Sequence, residues 1–357
     1  MTPAFAEACR DWLLTFLTVS SLALALMLVV MIVQRLARTL AESRWQQALG
    51  LYRPLVDSLL QEGAPPETFE RLAQVPRRHQ AVLASLLLAP LRVVTGEMVD
   101  RIRAAAERAG LVARWTSDLR HRRWWTRAEA ALALGLVREP SAAEALVAAL
   151  EDEHEEVRAA AVDALGLLGD PRAIPALVLR LSDESRHQRV RIVESLREFG
   201  QRATPALLAH ARSNPAAVRE VADLVGLLAG AEAGEDLLQW SAHEDPSVRA
   251  AALRALGTIG PDDRAYYYAL RALGDESAEV RAMAARALGR SRRAEAAPYL
   301  AEKLEDEWEV AAHSATALRE LGAPGIEALS SRAAGTSPGA DLARQMLWEA
   351  RRDAGAT

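Results

Sequence analysis

One cysteine, Cys9, stands in a chain of 357 residues, which excludes an intramolecular disulfide and a cysteine-built metal cluster. Lysine is nearly absent too: of 43 basic residues only Lys303 is not arginine. Aromatic residues make up 5% of the chain, and no segment alternates apolar and polar side chains as a half-buried strand does. With a formal net charge of −5 there is no general basicity to attract nucleic acid. Neither a Gly-x-Ser-x-Gly elbow nor a phosphate-binding loop is present, so serine catalysis and nucleotide chemistry have no motif to stand on.

What is present is a phrase that returns. EEVRAAAVDALGLLG (155–169) reappears as PSVRAAALRALGTIG (246–260) and AEVRAMAARALGRS (278–291). Its arginine marks a series, Arg127, Arg158, Arg189, Arg219, Arg249 and Arg281, closed by Ala311, with steps of 30 to 32 residues. Four of these arginines have glycine eight residues later, at Gly135, Gly166, Gly257 and Gly289. A leucine in the following segment keeps the same step: Leu146, Leu177, Leu207, Leu238, Leu270, Leu300 and Leu329. Two markers in register over seven units are the signature of a solenoid.

Each unit reads as two helices. In the second, Val157, Ala161, Ala164, Leu165 and Leu168 have helical spacing, Gly169-Asp170-Pro171 stops the run, and Ile174, Leu177, Val178 and Leu181 begin another. Pro175, Pro205 and Pro298 fall at second-helix starts, where a missing N–H costs nothing. A single unit cannot stand alone. About eight buried apolar side chains at roughly 1.5 to 3 kcal/mol each do not offset ordering some 30 residues at roughly 1 to 2 kcal/mol each. Stacking on neighbours must supply the rest.

The pattern Asp, Val-Arg, Ala-Leu-Gly, Gly-Asp-Pro-x-Ala-x-Pro-x-Leu and a closing Leu-x-Asp resembles the short HEAT-like repeat of the phycobilisome-lyase type, over about 120 to 331. The resemblance implies an all-α, right-handed, armadillo-like solenoid of about seven helical hairpins. It says little of function, because such repeats serve scaffolds, lyase subunits and a metal hydroxylase.

The amino-terminal end is different. Residues 12–34 carry no charge over 23 positions, a length that spans roughly 34 Å as a helix. It reads as a transmembrane helix and not a cleaved signal peptide, because the short head 1–11 has no positive cluster and no small-residue cleavage site follows. Arg35, Arg38, Arg44 and Arg53 follow the span, which places the solenoid on the cytoplasmic side of the inner membrane. Residues 35–120 read as a juxtamembrane helical region and solenoid cap, with a helix from Gln46 to about Leu60 broken near Pro54 and longer segments near 77–94 and 97–109. The repeats occupy 121–334, and 335–357 form a C-terminal capping helix, opened by Ser337-Pro338, and a tail.

Two groups of residues carry candidate roles. The densest is DLRHRRWWTR (118–127), where Arg120, Arg122, Arg123, Trp124 and Trp125 form a basic, aromatic candidate surface for a partner, although one Trp is expected to fill the gap against the preceding cap. The second is the recurrent arginine, Arg127, Arg158, Arg189, Arg219, Arg249 and Arg281, which beside Asp152, Asp183, Asp245, Asp275 and Asp306 is expected to form a structural ladder between units. Two His-Glu pairs, His154-Glu155 and His243-Glu244, resemble the iron-binding pairs of HEAT-repeat deoxyhypusine hydroxylases. That family needs four pairs facing each other, and these two lie on the order of 30 Å apart along a simple stack.

The chain as a whole resembles membrane-anchored bacterial HEAT-repeat proteins. The expectation is a non-catalytic scaffold or adaptor with a protein partner, and no metal, cofactor, small molecule or nucleic acid. By analogy its client belongs to the membrane-associated glycosyltransferases or other envelope machinery. The alternative is an enzyme-associated subunit of bilin-lyase-like or metal-dependent type.

Overall fold

The computed structural model describes residues 3–61, 65–182, 185–260 and 262–355, except for the side chains of 3–11, 13–15, 25, 92 and 353–355. Every regular element among them is helical. Asp183 and the side chains of the head, that of Cys9 among them, lie outside this description. The chain divides into two units, Met1–Trp115 and Thr116–Thr357.

The first unit is dominated by α1 (Pro3–Leu60). Between Phe16 and Leu40 its large apolar side chains are exposed, including Leu22, Leu24, Val29 and Ile32. Farther on, Ala48, Tyr52, Val56 and Leu59 fall on one buried face. The expected break at Pro54 does not occur: α1 runs through it. Proline removes one backbone hydrogen bond, and the buried row on both sides of Pro54 holds the two flanking turns to the same core. That core comes from α2 (Pro66–Ala73), α3 (Gln80–Leu88) and α4 (Glu97–Arg108), through Leu72, Leu83, Leu87 and Ile102. Tyr52 Oη lies 2.9 Å from His79 Nδ1, tying α1 to the turn before α3. The segment expected at 77–94 is α3 between two 3-10 turns. Helix α5 (Leu111–Asp118) carries the division between the units.

Among the described residues the second unit contains seven helical pairs. Their first helices are α6 (Trp124–Leu136), α8 (Glu155–Leu168), α10 (Arg186–Phe199), α12 (Val218–Leu227), α14 (Pro246–Ile259), α16 (Ala278–Ser291) and α18 (Trp308–Glu320). The alternating second helices are α7 (Ala143–Ala149), α9 (Ile174–Arg180), α11 (Thr204–Ser213), α13 (Gly234–Trp240), α15 (Asp263–Ala272), α17 (Ala297–Glu302) and α19 (Ala323–Ala333). A last helix, α20 (Pro338–Gly355), packs on α18 and α19. Local chemistry sets the boundaries. Asp245 caps α14, accepting from Ser247 N at 2.8 Å, with Pro246 in the first turn. Gly169, at φ 69°, closes α8 in the left-handed conformation.

The repeating glycine makes stacking possible. A Cβ at Gly226 would lie 2.8 Å from Ala255 Cα, and one at Gly257 would lie 2.9 Å from Ala287 Cα. Gly135 meets Ala164, Gly166 meets Ser195 and Gly289 meets Ala317 in the same way. First helices of adjacent pairs thus touch through small residues, and the marker leucines fill the layer beneath them. Leu146, Leu177, Leu207, Leu238, Leu300 and Leu329 are buried, whereas Leu270 is half-buried because Tyr266, Ala269 and Leu273 take the inward positions of α15.

One junction departs from this rule. Helices α10 and α12 do not pack closely on each other, unlike the other neighbouring first helices. Where Gly166 and Gly257 stand in their helices, α10 has Arg197. The pairs stay joined through α11, which packs on α9 before this point and on the first helix α12 beyond it. Neutral hydrogen bonds also cross it, from Gln201 Nε2 to Ala229 O at 2.8 Å and from Asn214 Nδ2 to Ser182 Oγ at 3.1 Å.

Candidate functional site

The loop that leads into α6 gathers the residues singled out at 120–125. Arg120, Arg122 and Arg123 are exposed. Trp124 and Trp125 meet edge to face, with ring centroids 5.9 Å apart, and the Arg123 guanidinium lies 5.5 Å from the Trp125 centroid. Trp124 stacks on the His154 imidazole of the next pair, at 4.0 Å and 6° between planes. Neither indole fills a core position: Trp124 is 38% and Trp125 46% exposed. The loop also borders a groove of about 670 Å³, lined by Arg120 and His121 on one side and by Ala145 and Asp152 on the other.

Beside this surface runs the ladder. Arg127 donates from Nε and Nη2 to the two carboxylate oxygens of Asp152, both at 2.7 Å, while its Nη1 donates to His121 O at 3.0 Å. Each complete rung therefore joins the leading loop of one pair to the leading loop of the next. The same arrangement recurs in Arg249 to Asp275, at 2.9 and 2.8 Å, and in Arg281 to Asp306, at 3.0 and 2.7 Å. Each aspartate also holds its own loop, since Asp152 accepts from His154 N and Asp275 from Ser277 N, both at 2.9 Å. Arg158 donates to the carbonyls of Asp152 and Glu153, which links the first rung onward; its expected partner Asp183 lies outside the described residues.

The electrostatics follow this geometry. Burial alone would push the Asp152 and Asp275 carboxyls up, but the Arg127 and Arg249 bonds and the backbone N–H donors hold both below the ordinary range. At Asp306 burial opposes the bonds from Arg281, Glu307 N and Lys303, and the carboxyl is held down to about 2. Bidentate, partly desolvated pairs of this kind are the strong form of ion pair.

Two expected rungs are missing. Arg189 and Arg219 make no ion pair among the described residues, and Arg219 is exposed. The reason is read from position. In the complete rungs the acid precedes the next ladder position by five or six residues, as Asp152 precedes Arg158 and Asp275 precedes Arg281 by six and Asp306 precedes Ala311 by five. Six before Arg219 is Ser213, followed by Asn214, and six before Arg249 is His243. Asp245, expected as a ladder acid, lies two residues too far along and caps α14 instead. His243 takes over the aspartate's loop-holding role, its Nδ1 accepting from Asp245 N at 3.0 Å, but an imidazole offers Arg219 no carboxylate.

The His-Glu pairs serve the same local purpose. His154 Nδ1 accepts from Glu156 N at 3.3 Å at the start of α8, so in both pairs that ring nitrogen is engaged by the backbone. Among the described residues no group of three or more His, Cys, Asp or Glu side chains is placed to hold a metal ion.

A sequence profile for HEAT repeats matches residues 112–197, 234–319 and 269–348, more than half of the chain. The chain belongs to the HEAT-repeat family. The stretch between the first two matched segments, 198–233, contains the open α10–α12 junction. No curated protein matches significantly. Among solved structures, the HEAT-repeat chain is similar to the complex of CpcE and CpcF of phycocyanin lyase from Nostoc sp. PCC7120, at 22% identity over 67% of this chain and 94% of that one, with a TM-score of 0.32. It is also similar to human deoxyhypusine hydroxylase, at 20% identity over 86% of this chain and 96% of that one, TM-score 0.28. A third likeness is Kap121p bound to RanGTP, at 12% identity over 84% of this chain and 45% of that one, TM-score 0.40. Membership of the family rests on the profile and the seven helical pairs, not on these likenesses.

Proposed function

We propose that this HEAT-repeat protein is a non-catalytic scaffold: α1 fixes it in the cytoplasmic membrane, and the repeat surface on the cytoplasmic side holds a protein partner. The observation that carries the reading is the contrast within α1. Its first part exposes a continuous run of large apolar side chains, a surface suited to lipid, while its last turns are buried against protein. The arginines that follow the span favour the cytoplasmic side for what comes after. On the repeats, the exposed arginines and half-exposed tryptophans of 120–125 have the composition of a protein-binding surface, with rigid aromatic area beside exposed guanidinium groups. Seven pairs at about 10 Å each offer a surface on the order of 70 Å long. A membrane-associated glycosyltransferase or another envelope protein is a client that suits this placement.

The test is capture of the full chain from its own membranes in mild detergent. The reading expects the chain to resist extraction by alkaline carbonate and to retain one membrane protein in fixed ratio. Release of the chain into the soluble fraction, or a bound metal at fixed ratio with no protein partner, contradicts it.

A further inference from the structure

We propose that a groove in the first unit binds the headgroup of an anionic phospholipid, with its phosphate held between Arg44 and Arg78. The inference rests on the reading of α1 as a membrane span. The groove, of about 620 Å³, is lined by Arg44, Gln47, Ala48 and Leu51 of α1 and by Arg78 and His79 of the turn before α3. Arginines from two separate elements thus meet at one opening, which basic residues following a span do not by themselves produce. Both are exposed, and neither makes an ion pair or a hydrogen bond among the described residues. No acid is among the residues that line the groove. Glu42 and Asp57, the nearest acids on α1, are turned roughly 140 to 160° around the helix from Arg44, and Glu42 accepts from Gln46 Nε2 at 2.8 Å.

Position along α1 decides which anion reaches the groove. The hydrocarbon of a bilayer takes about 20 helical residues, and counted from the exposed Phe16 it ends near Leu36. Arg44 is then about 12 Å farther along the axis, just past a headgroup layer about 5 to 8 Å deep. Helical side chains lean toward the N-terminus, so Arg44 reaches back toward the phosphates. Arg35 and Arg38 are nearer the bilayer but stand about 180° and 120° around α1 from Arg44, and neither lines the groove. Two guanidinium groups suit a phosphodiester in charge and in donor geometry. His79 adds a donor: in the neutral ring, with Nδ1 accepting from Tyr52 Oη at 2.9 Å, the proton is on Nε2. The headgroup alcohol lies farther from the bilayer than its phosphate, on the side of Gln47 and Leu51. Choline or ethanolamine brings a cation to the same place, beside two arginines, and is disfavoured.

The test counts lipids held by the full chain in a neutral detergent, by native mass spectrometry, with phosphatidylglycerol and phosphatidylcholine supplied in equal amounts. One phosphatidylglycerol is expected to stay on each chain, preferred about tenfold over phosphatidylcholine. Arg44→Gln with Arg78→Gln breaks no ion pair or hydrogen bond within the described residues and is expected to abolish the preference. Arg35→Gln with Arg38→Gln removes the same charge nearer the bilayer and is expected to change it less than about threefold. Excess inorganic phosphate is expected to leave the lipid in place. The site is overturned if the two lipids are held alike, if the Arg44/Arg78 variant keeps the preference, or if the Arg35/Arg38 variant has the larger effect. It is also overturned if inorganic phosphate displaces the lipid, which makes the groove a site for the free anion. Failure here is separable from failure of the scaffold. A chain that resists carbonate and retains its partner while holding both lipids alike loses this site alone, whereas a chain released by carbonate loses the membrane reading itself.

Discussion

The α14–α16–α18 block and the α10–α12 junction are built from the same repeat and differ at a few positions. In the block, glycine lets first helices touch, and an arginine joins successive leading loops through an aspartate. At the junction glycine becomes Arg197, the rung acid becomes Ser213 and the first helices separate, while α11 still packs on α9 and α12; one step on, His243 stands in the place of the next rung acid but Gly226 keeps α12 against α14. The difference teaches that the stack depends on two separate devices, a close approach and a polar rung. At α10–α12 both are lost, whereas α12–α14 loses the rung and keeps the close approach.

The largest expected effect comes from forcing that difference onto the block. Gly257→Val drives side-chain atoms into the Ala287 backbone and should cost about 3 kcal/mol or more, whereas Arg197→Val should stay within about 0.5 kcal/mol; denaturant unfolding of the two variants measures both. Next comes the rung. Arg281→Met leaves Asp306, whose side chain is only 14% exposed, without its main partner, and should cost about 2 kcal/mol, against under about 0.5 for Arg219→Met.

Acid should act on the block in a defined window. Asp306 titrates at about 2 in the fold against an ordinary 3.8. A depressed carboxylate stabilises fully above its unfolded value, and that stability is lost as pH falls through the folded one. The rung therefore contributes about 2 kcal/mol above roughly pH 4, fading toward pH 2. Native stability followed across this range should show the loss, and Arg281→Met should flatten it. The smallest effect sharpens the comparison from the other side. His243→Asp completes a rung at Arg219 and should raise stability by about 0.5 to 1 kcal/mol, read as a small rise in the thermal midpoint.

Much of this was legible in the sequence. The period, the helical pairs and the rungs at Arg127, Arg249 and Arg281 followed from markers that recur in register. Asp245 resembles a ladder acid in sequence, but the place six residues before Arg249 belongs to His243. Pro54 was read as a break because its local cost is visible in sequence, whereas the burial of Tyr52, Val56 and Leu59 that outweighs it depends on tertiary packing. Helices α2 and α5, each eight residues long, are too short to show a period. At the candidate surface, exposure of Arg120, Arg122 and Arg123 followed from their type. The stacking of Trp124 on His154 did not, since it joins residues a full repeat apart.

The interrupted ladder is most directly tested by native-state hydrogen exchange on the full chain. The account predicts that amides in α10 and in the first turns of α12 open at lower free energy than those of α16, and that His243→Asp narrows the gap. Equal protection through α10, α12 and α16, unmoved by that substitution, would contradict it.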